Sequence, residues 1–388
     1  MSGVLRRSIG TALARAIVAV IAVLVLGVLG PTGVAMAEPP AVTITSPSPG
    51  SSTPNATPPI SGTTNDIVVL DQVTVTIYVG TTATGPPEQP AMTTTPTLEN
   101  TWSVAPSTPL PDGPYTVVAT QTNSLTLETG SSLPVTFTVD TMSPTVSIDP
   151  VASPTKNATP KLTGGAGTAP GDEAGVTVKI YQGESTGGSV ASEKEVPVEA
   201  GGRWSYTPSS NLPDGTYTAQ ATQRDVAGNQ GESMPPATFT IDTTPPVVSI
   251  EPVSSPTRDA TPTLEGSASE ETEVAVTISQ GGSVVAAKSV PVEEGRWSYT
   301  PPHLNDGTYT AEATQQDAAG NQGASKPPVT FTVDTTPPVV SIAQVPSPTK
   351  DTTPTLEGHA GTAEGDGSTV TVELTREGDS PSETVVQV

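Results

Sequence analysis

Cysteine is absent from all 388 residues, histidine occurs twice, and aromatic residues make up only 3% of the chain. Without cysteine there is no disulfide staple and no thiolate metal site, so every folded unit must stand on its apolar core. The two histidines, His303 beside Pro301-Pro302 and His359 near the C-terminus, form no zinc-binding pair. No Gly-x-Ser-x-Gly elbow and no phosphate loop appears, and the plentiful carboxylates repeat without one pair standing apart as an acid and a base. Enzymatic chemistry is therefore not expected. Positive charge is also scarce: 15 Lys and Arg face 39 Asp and Glu, for a net charge of −24. That balance excludes nucleic acid and anionic membrane surfaces as partners. No segment carries the 3.6-residue apolar period of a helix.

The apolar residues are concentrated first at the N-terminus. Arg6, Arg7 and Arg15 precede an uncharged run from Ala16 to Gly30, and Ala35-Met36-Ala37 offers a small-x-small cleavage site before Glu38. This reads as an export leader over residues 1–37. The run is short of the roughly 20 apolar residues of a spanning helix, so a membrane is expected as a partner only if the leader stays uncleaved. Cleavage removes three arginines and no acid, leaving 12 cationic residues against 39 acidic ones and a charge of −27. The mature chain is expected to be secreted or displayed on the cell surface.

The rest of the chain repeats itself. Ser153-Pro-Thr-Lys-Asn-Ala-Thr-Pro160 returns at Ser255–Pro262 and at Ser347–Pro354, with a looser copy at Ser52–Pro58. Ile44, Ile148, Ile250 and Ile342 stand 104, 102 and 92 residues apart. A period near 100 residues marks domain-sized units rather than solenoid turns. The expected limits are 38–140, 141–242, 243–334 and an incomplete 335–388. Within the third unit, Val247–Ile250, Thr261–Gly266, Glu273–Ile278, Ser283–Val292, Gly295–Thr300, the stretch around Tyr309–Ala313 and Val329–Val333 read as seven short strands between Gly and Pro turns. Seven such strands in about 90 residues fit a two-sheet sandwich. Trp102, Trp204 and Trp297 precede Tyr115, Tyr217 and Tyr309 by 13, 13 and 12 residues, and Phe137, Phe239 and Phe331 close the units. Aromatics used once per unit at one spacing are core residues.

The strings Asp242-Thr-Thr-Pro-Pro-Val-Val-Ser-Ile250, Thr261-Pro-Thr-Leu-Glu-Gly266, Asp306-Gly-Thr-Tyr-Thr-Ala311 and Asp317-Ala-Ala-Gly-Asn321 resemble the bacterial Ig-like domains of surface adhesins and secreted multidomain proteins. The resemblance covers nearly everything after the leader. It implies an all-β fold of tandem immunoglobulin-like β-sandwiches in a linear array. It also implies that the Tyr after each Asp-Gly acts as a tyrosine corner, its hydroxyl tied to nearby backbone. Such domains serve as stalks, spacers, adhesive tips and accessories to enzymes, so the fold leaves the role open.

Calcium is the expected ion, if any. In an Ig-type sandwich the loop between the last two strands shares a pole with the N-terminus and the second loop. That pole gathers Asp242, Glu270, Glu271, Asp317 and Asn321 in the third unit, and Asp140, Asp172, Glu173, Asp225 and Asn229 in the second. Calcium takes six to eight oxygen ligands in a flexible cage. The first unit, with no unit before it, has Thr122-Asn123-Ser124 at the matching turn, so the acidic set goes with a junction. Some bacterial Ig-like adhesin domains use calcium in this way, which the resemblance carries over as an expectation. Ordinary turn chemistry accounts for the same residues, since Asp and Asn cap turns with their own side chains.

Asp242-Thr-Thr-Pro-Pro246 and Asp334-Thr-Thr-Pro-Pro338 join strand to strand with almost no slack, and Pro keeps both itself and its predecessor extended. Four units so joined would reach on the order of 100 Å at ~3.3 Å per strand residue. A stalk holding other domains of the same longer chain is the expected role. A module binding a cell-surface or polysaccharide ligand, or the accessory region of an extracellular enzyme, stands as the alternative. Sugar binding would draw on exposed aromatics, and only Tyr78 and Tyr181 are left outside the cores, each following an inward Ile; two equivalent single Tyr residues do not make a sugar platform. The fourth unit has Val370, Val372 and Leu374 for its third strand but no Trp, Asp-Gly-x-Tyr or closing Phe, so the chain is expected to be a piece of a longer array.

Overall fold

The computed structural model describes residues 38–68, 71–363 and 365–388. The leader expected over residues 1–37 lies outside the described residues. Every regular element described is a β-strand, and no described helix is long and apolar enough to cross a membrane.

The first repeat holds nine strands: β1 (Val42–Ser46), β2 (Ser51–Thr53), β3 (Ile60–Thr64), β4 (Val73–Val79), β5 (Met92–Thr94), β6 (Thr101–Val104), β7 (Gly113–Thr122), β8 (Thr129–Ser131) and β9 (Val135–Val139). One sheet runs β1-β3-β6; the other runs β2-β9-β7-β4-β5, with β8 on the edge of β7. Alternation sets the inward face: Val73, Val75 and Ile77 of β4 are buried, and the residues between them are not. The core contains Trp102, Tyr115 and Phe137 with Ile60, Val117, Ala119 and Val139.

The second repeat builds the same sandwich from β10 (Leu162–Gly165), β11 (Gly175–Gln182), β12 (Val190–Pro197), β13 (Arg203–Tyr206), β14 (Gly215–Arg224), β15 (Gln230–Glu232) and β16 (Ala237–Ile241). The third uses β17 (Leu264–Ser267), β18 (Val274–Gln280), β19 (Ser283–Val290), β20 (Arg296–Tyr299), β21 (Gly307–Gln316), β22 (Gln322–Ala324) and β23 (Val329–Val333). In each, a two-stranded sheet (β10-β13, β17-β20) faces a five-stranded one. Their cores are separate from one another and from that of the first repeat. Each Tyr meets the closing Phe at 5.7–5.9 Å between ring centroids, and each indole lies fully inside.

The tyrosine corner is present in all three repeats: Tyr115, Tyr217 and Tyr309 donate to the carbonyls of Pro111, Pro213 and Asn305 at 2.7–2.8 Å. The opening strand expected at Val247–Ile250 is reduced to one bridge, Val248 to Ala268, with Ser249 and Glu251 N–H bonded to Ser267 and Glu265 carbonyls. The Ser-Pro-Thr motif follows. It lifts the chain off that sheet and sets Thr155 and Thr257 parallel to the closing strands at Ile241 and Val333, as β2 runs parallel to β9 in the first repeat. Ser153 Oγ accepts Thr240 N–H at 3.0 Å, and Asn157 Oδ1 caps the turn through Thr159 N–H.

By its contacts the chain divides into residues up to Met142 together with Val226–Asn229, and the remainder. In the latter, the described residues of the fourth repeat form β24 (Ser341–Ile342) paired with β25 (Gly358–His359) and β26 (Thr369–Leu374) paired with β27 (Ser382–Gln387). Ile342, Leu374 and Val385 remain exposed.

A candidate mechanical site at the joint of repeats two and three

The linker Asp242-Thr-Thr-Pro-Pro246 is held at both ends. Asp214, in the Asp-Gly turn that starts β14, accepts Thr243 N–H and Oγ–H at 3.0 and 2.7 Å on one oxygen. Its other oxygen accepts Thr244 Oγ–H at 2.7 Å. The hydroxyls of Thr244 and Thr243, then the Thr243 amide, hold the Asp214 carboxyl below the usual carboxylate range. Asp242 caps its own linker, its carboxylate taking Thr244 N–H at 3.1 Å. Downstream, the Pro246 carbonyl rests on Gly323 of β22: a Cβ there would lie 1.8 Å from that oxygen. Only glycine admits this approach.

The third repeat closes the joint from its last turn. Asn321, buried at 7% exposure, donates from Nδ2 to the Asp242 carbonyl and to Asp317 Oδ2, both at 2.8 Å. Its backbone N–H goes to Asp317 Oδ1 at 2.8 Å. Burial pushes the Asp317 carboxyl up, but the Asn321 side chain and the backbone amides of Asn321, Gly320 and Ala319 more than offset it and hold it low. Lys156, from the Ser-Pro-Thr motif of the second repeat, reaches the same turn, its Nζ 2.8 Å from the Gly320 carbonyl. Asp317 and Asn321 thus meet through their side chains, whereas Asp242 joins them only by its main-chain carbonyl.

The remaining expected ligands do other work. Glu270 contributes its carbonyl to Gln315 Nε2 at 2.7 Å, and Glu271 takes Gly295 N–H at 3.1 Å. In the second repeat, Asp172 caps Ala169 N–H at 2.8 Å and bridges to the buried Asp225, while the Glu173 carbonyl takes Gln223 Nε2. Asn229 Nδ2 donates to the Asp140 carbonyl at 2.8 Å, and the Asp140 carboxylate takes Met142 N–H. This donor set does not fit calcium at the joint. An amide nitrogen bridges the two oxygens a cation would share, and among the described residues no three of His, Asp and Glu are placed to hold a metal.

Sequence reasoning missed the linker-facing carboxylates, Asp214 and its copies: Asp112 takes Thr141, and Asp306 takes Thr335 and Thr336. It also missed the cation. The available signals were the Thr-Thr after each closing strand and the Lys or Arg recurring at Lys156, Arg258 and Lys350.

Residues 149–243 and 252–335 match the family model described as a bacterial Ig-like domain. No curated protein matches the chain. Among solved structures it is similar to a tetra-tandem repeat in the extending region of a large adhesion protein, at 23% identity over 91% of this chain and 88% of that one, with a TM-score of 0.30. It is also similar to the FN1–FN3 domains of chicken CNTN1 (15% identity, 76% of this chain and 99% of that one, TM-score 0.29). A third is Salmonella alpha-2-macroglobulin reacted with methylamine (12%, 83% and 25%, TM-score 0.23). None of these likenesses bears on what the chain does. The two family matches fall on sandwiches with the same aromatic core, and the second and third repeats of this chain are bacterial Ig-like domains.

Proposed function

We propose that this chain is a non-catalytic, extracytoplasmic spacer on a bacterial surface or secreted protein, holding other domains of the same longer chain at a distance. The leader-like N-terminus supports the address. The observation that carries the reading is the joint. Asp214 gathers three donors from the linker, and Asn321 ties the last residue of one repeat to the last turn of the next. A linker that only tethered two domains would need none of these bonds. The stiffness comes from protein groups.

The absence of cysteine makes the test clean. Ser185→Cys and Ser283→Cys place one dye on each of the second and third repeats, both at exposed sites. Energy transfer in the full chain should give a single narrow distance distribution. Asp214→Ala with Asn321→Ala should broaden it. Equal widths in both proteins would rule out a stiffened joint and favour the adhesive alternative. The same sample, melted with millimolar calcium and with chelator, should give one Tm. A calcium-dependent rise that Asp317→Asn abolishes would restore the ion to the joint.

A further inference from the structure

The three cores are copies, but the outer faces of their larger sheets are not. In the first repeat that face carries Thr74, Thr76, Tyr78, Val118, Thr120 and Thr122, all uncharged, along β4 and β7. In the third repeat that face carries Ala275, Thr277 and Ser279 on β18, Glu312 and Gln316 on β21, and Gln322 and Ala324 on β22. The second repeat alone sets Lys179 and Tyr181 on β11, Glu193 on β12, Gln220 and Arg224 on β14, and Gln230 and Glu232 on β15 around one open depression of about 440 Å³. Register puts Lys179 between Glu193 and Gln220, and Arg224 opposite Gln230.

These side chains hold one another upright. Lys179 Nζ lies 3.2 Å from Glu193 Oε1. Gln220 and Gln230 donate to the two oxygens of Glu232 at 3.2 and 3.1 Å, and Arg224 Nε donates to Gln230 Oε1 at 3.3 Å. The result is a fixed array in which donors and acceptors alternate over a few ångströms, with the ring of Tyr181 at one end. Pre-ordering reduces the entropy lost on binding. The mixed signs narrow the partner. Two carboxylates repel a polyanion and two cations repel a polycation, whereas hydroxyl groups both donate and accept. An aromatic ring beside such groups gives the apolar face of a sugar ring a surface to rest on.

We propose that the outer face of the second repeat binds a neutral polysaccharide strand, with Tyr181 as the stacking surface and Gln220, Arg224, Gln230 and the two glutamates as hydroxyl partners. This goes beyond the spacer reading and does not depend on it. The joint can be stiff with the face empty, and the face can bind on a loose array.

The full mature chain is titrated by calorimetry with neutral hexasaccharides: cellohexaose, xylohexaose, mannohexaose, maltohexaose and chitohexaose. At least one should bind with a Kd on the order of 0.1–1 mM. Tyr181→Ala and Gln220→Ala should each weaken it by about tenfold or more, and Tyr78→Ala should leave it unchanged. Both Tyr181 and Gln220 lie on the outer face, and an unchanged Tm verifies that each variant is folded. The proposal is overturned if none of the five binds, if binding survives Tyr181→Ala in a folded protein, or if Tyr78→Ala is as damaging. Binding of polygalacturonate in place of every neutral sugar would overturn it too, since that ligand is a polyanion.

Discussion

At the scale of single residues, the repeats are defined by what glycine permits and what threonine donates. Gly62, Gly164 and Gly266 sit where a Cβ would strike both a backbone carbonyl and the indole of the unit's tryptophan. At Gly164 the distances are 2.0 Å to Ser147 O and 2.5 Å to Trp204 Cζ2. The same indole donates to the Gly165 carbonyl at 3.0 Å, so the ring cannot retreat without losing its bond. Gly164→Ala should therefore cost about 2–4 kcal/mol of that repeat's stability in urea melts. Asp214 and Asp306 make a prediction of opposite character. Both are held below the ordinary carboxylate value of 3.8, Asp306 by Thr336 and then Thr335. A depressed carboxyl stabilises the folded form above its unfolded value and loses that contribution as pH falls through the folded one. The Tm difference between the natural chain and the Asp214→Ala, Asp306→Ala variant should thus be constant from neutral pH down to about 4, then shrink. A difference that grew on acidification would contradict the clasp.

At the scale of elements, the strands that alternate were legible and those that borrow their partners were not. The Trp, Tyr and Phe spacing located the sheets because each occupies one inward position per strand, and β18, β20, β21 and β23 fall where the apolar alternation puts them. The parallel pairing of Thr155 and Thr257 with a closing strand nearly 80 residues or more away leaves no local pattern. Nor does the three-residue strand β22, or β15 in the second repeat, whose middle residue is chosen by an incoming proline carbonyl rather than by its own neighbours. The last turn of the third repeat was legible for a related reason. Asp317-Ala-Ala-Gly-Asn321 fixes its own geometry, so Asp and Asn meet. The Glu271 carboxylate instead takes the Gly295 N–H, a partner that lies elsewhere in the chain. Gly323→Ala tests the element directly. Displacing Pro246 from β22 should expose the linker, seen as faster cleavage at Thr243–Thr244 by a nonspecific protease, while the Trp297 core stays folded. Unchanged cleavage would mean that β22 does not hold the linker.

At the scale of the whole molecule, the question is what an acidic chain gains from clasped joints. A net charge of −24 pushes neighbouring repeats apart, and that push depends on salt: the Debye length falls from about 30 Å at 0.01 M to about 8 Å at 0.15 M. A chain kept open by repulsion alone would change its dimensions with every change of medium. A chain kept open by Asp214, Asn321 and their copies would not, because those bonds are short-range and largely indifferent to screening. Small-angle scattering across that salt range separates the two. The natural chain should keep its radius of gyration within a few per cent, whereas Asp214→Ala with Asn321→Ala should contract as salt is added. If the natural chain contracts equally, charge and not the joint sets its reach. The aspartates of the Asp-Gly turns would then matter to each repeat alone, with no part in spacing.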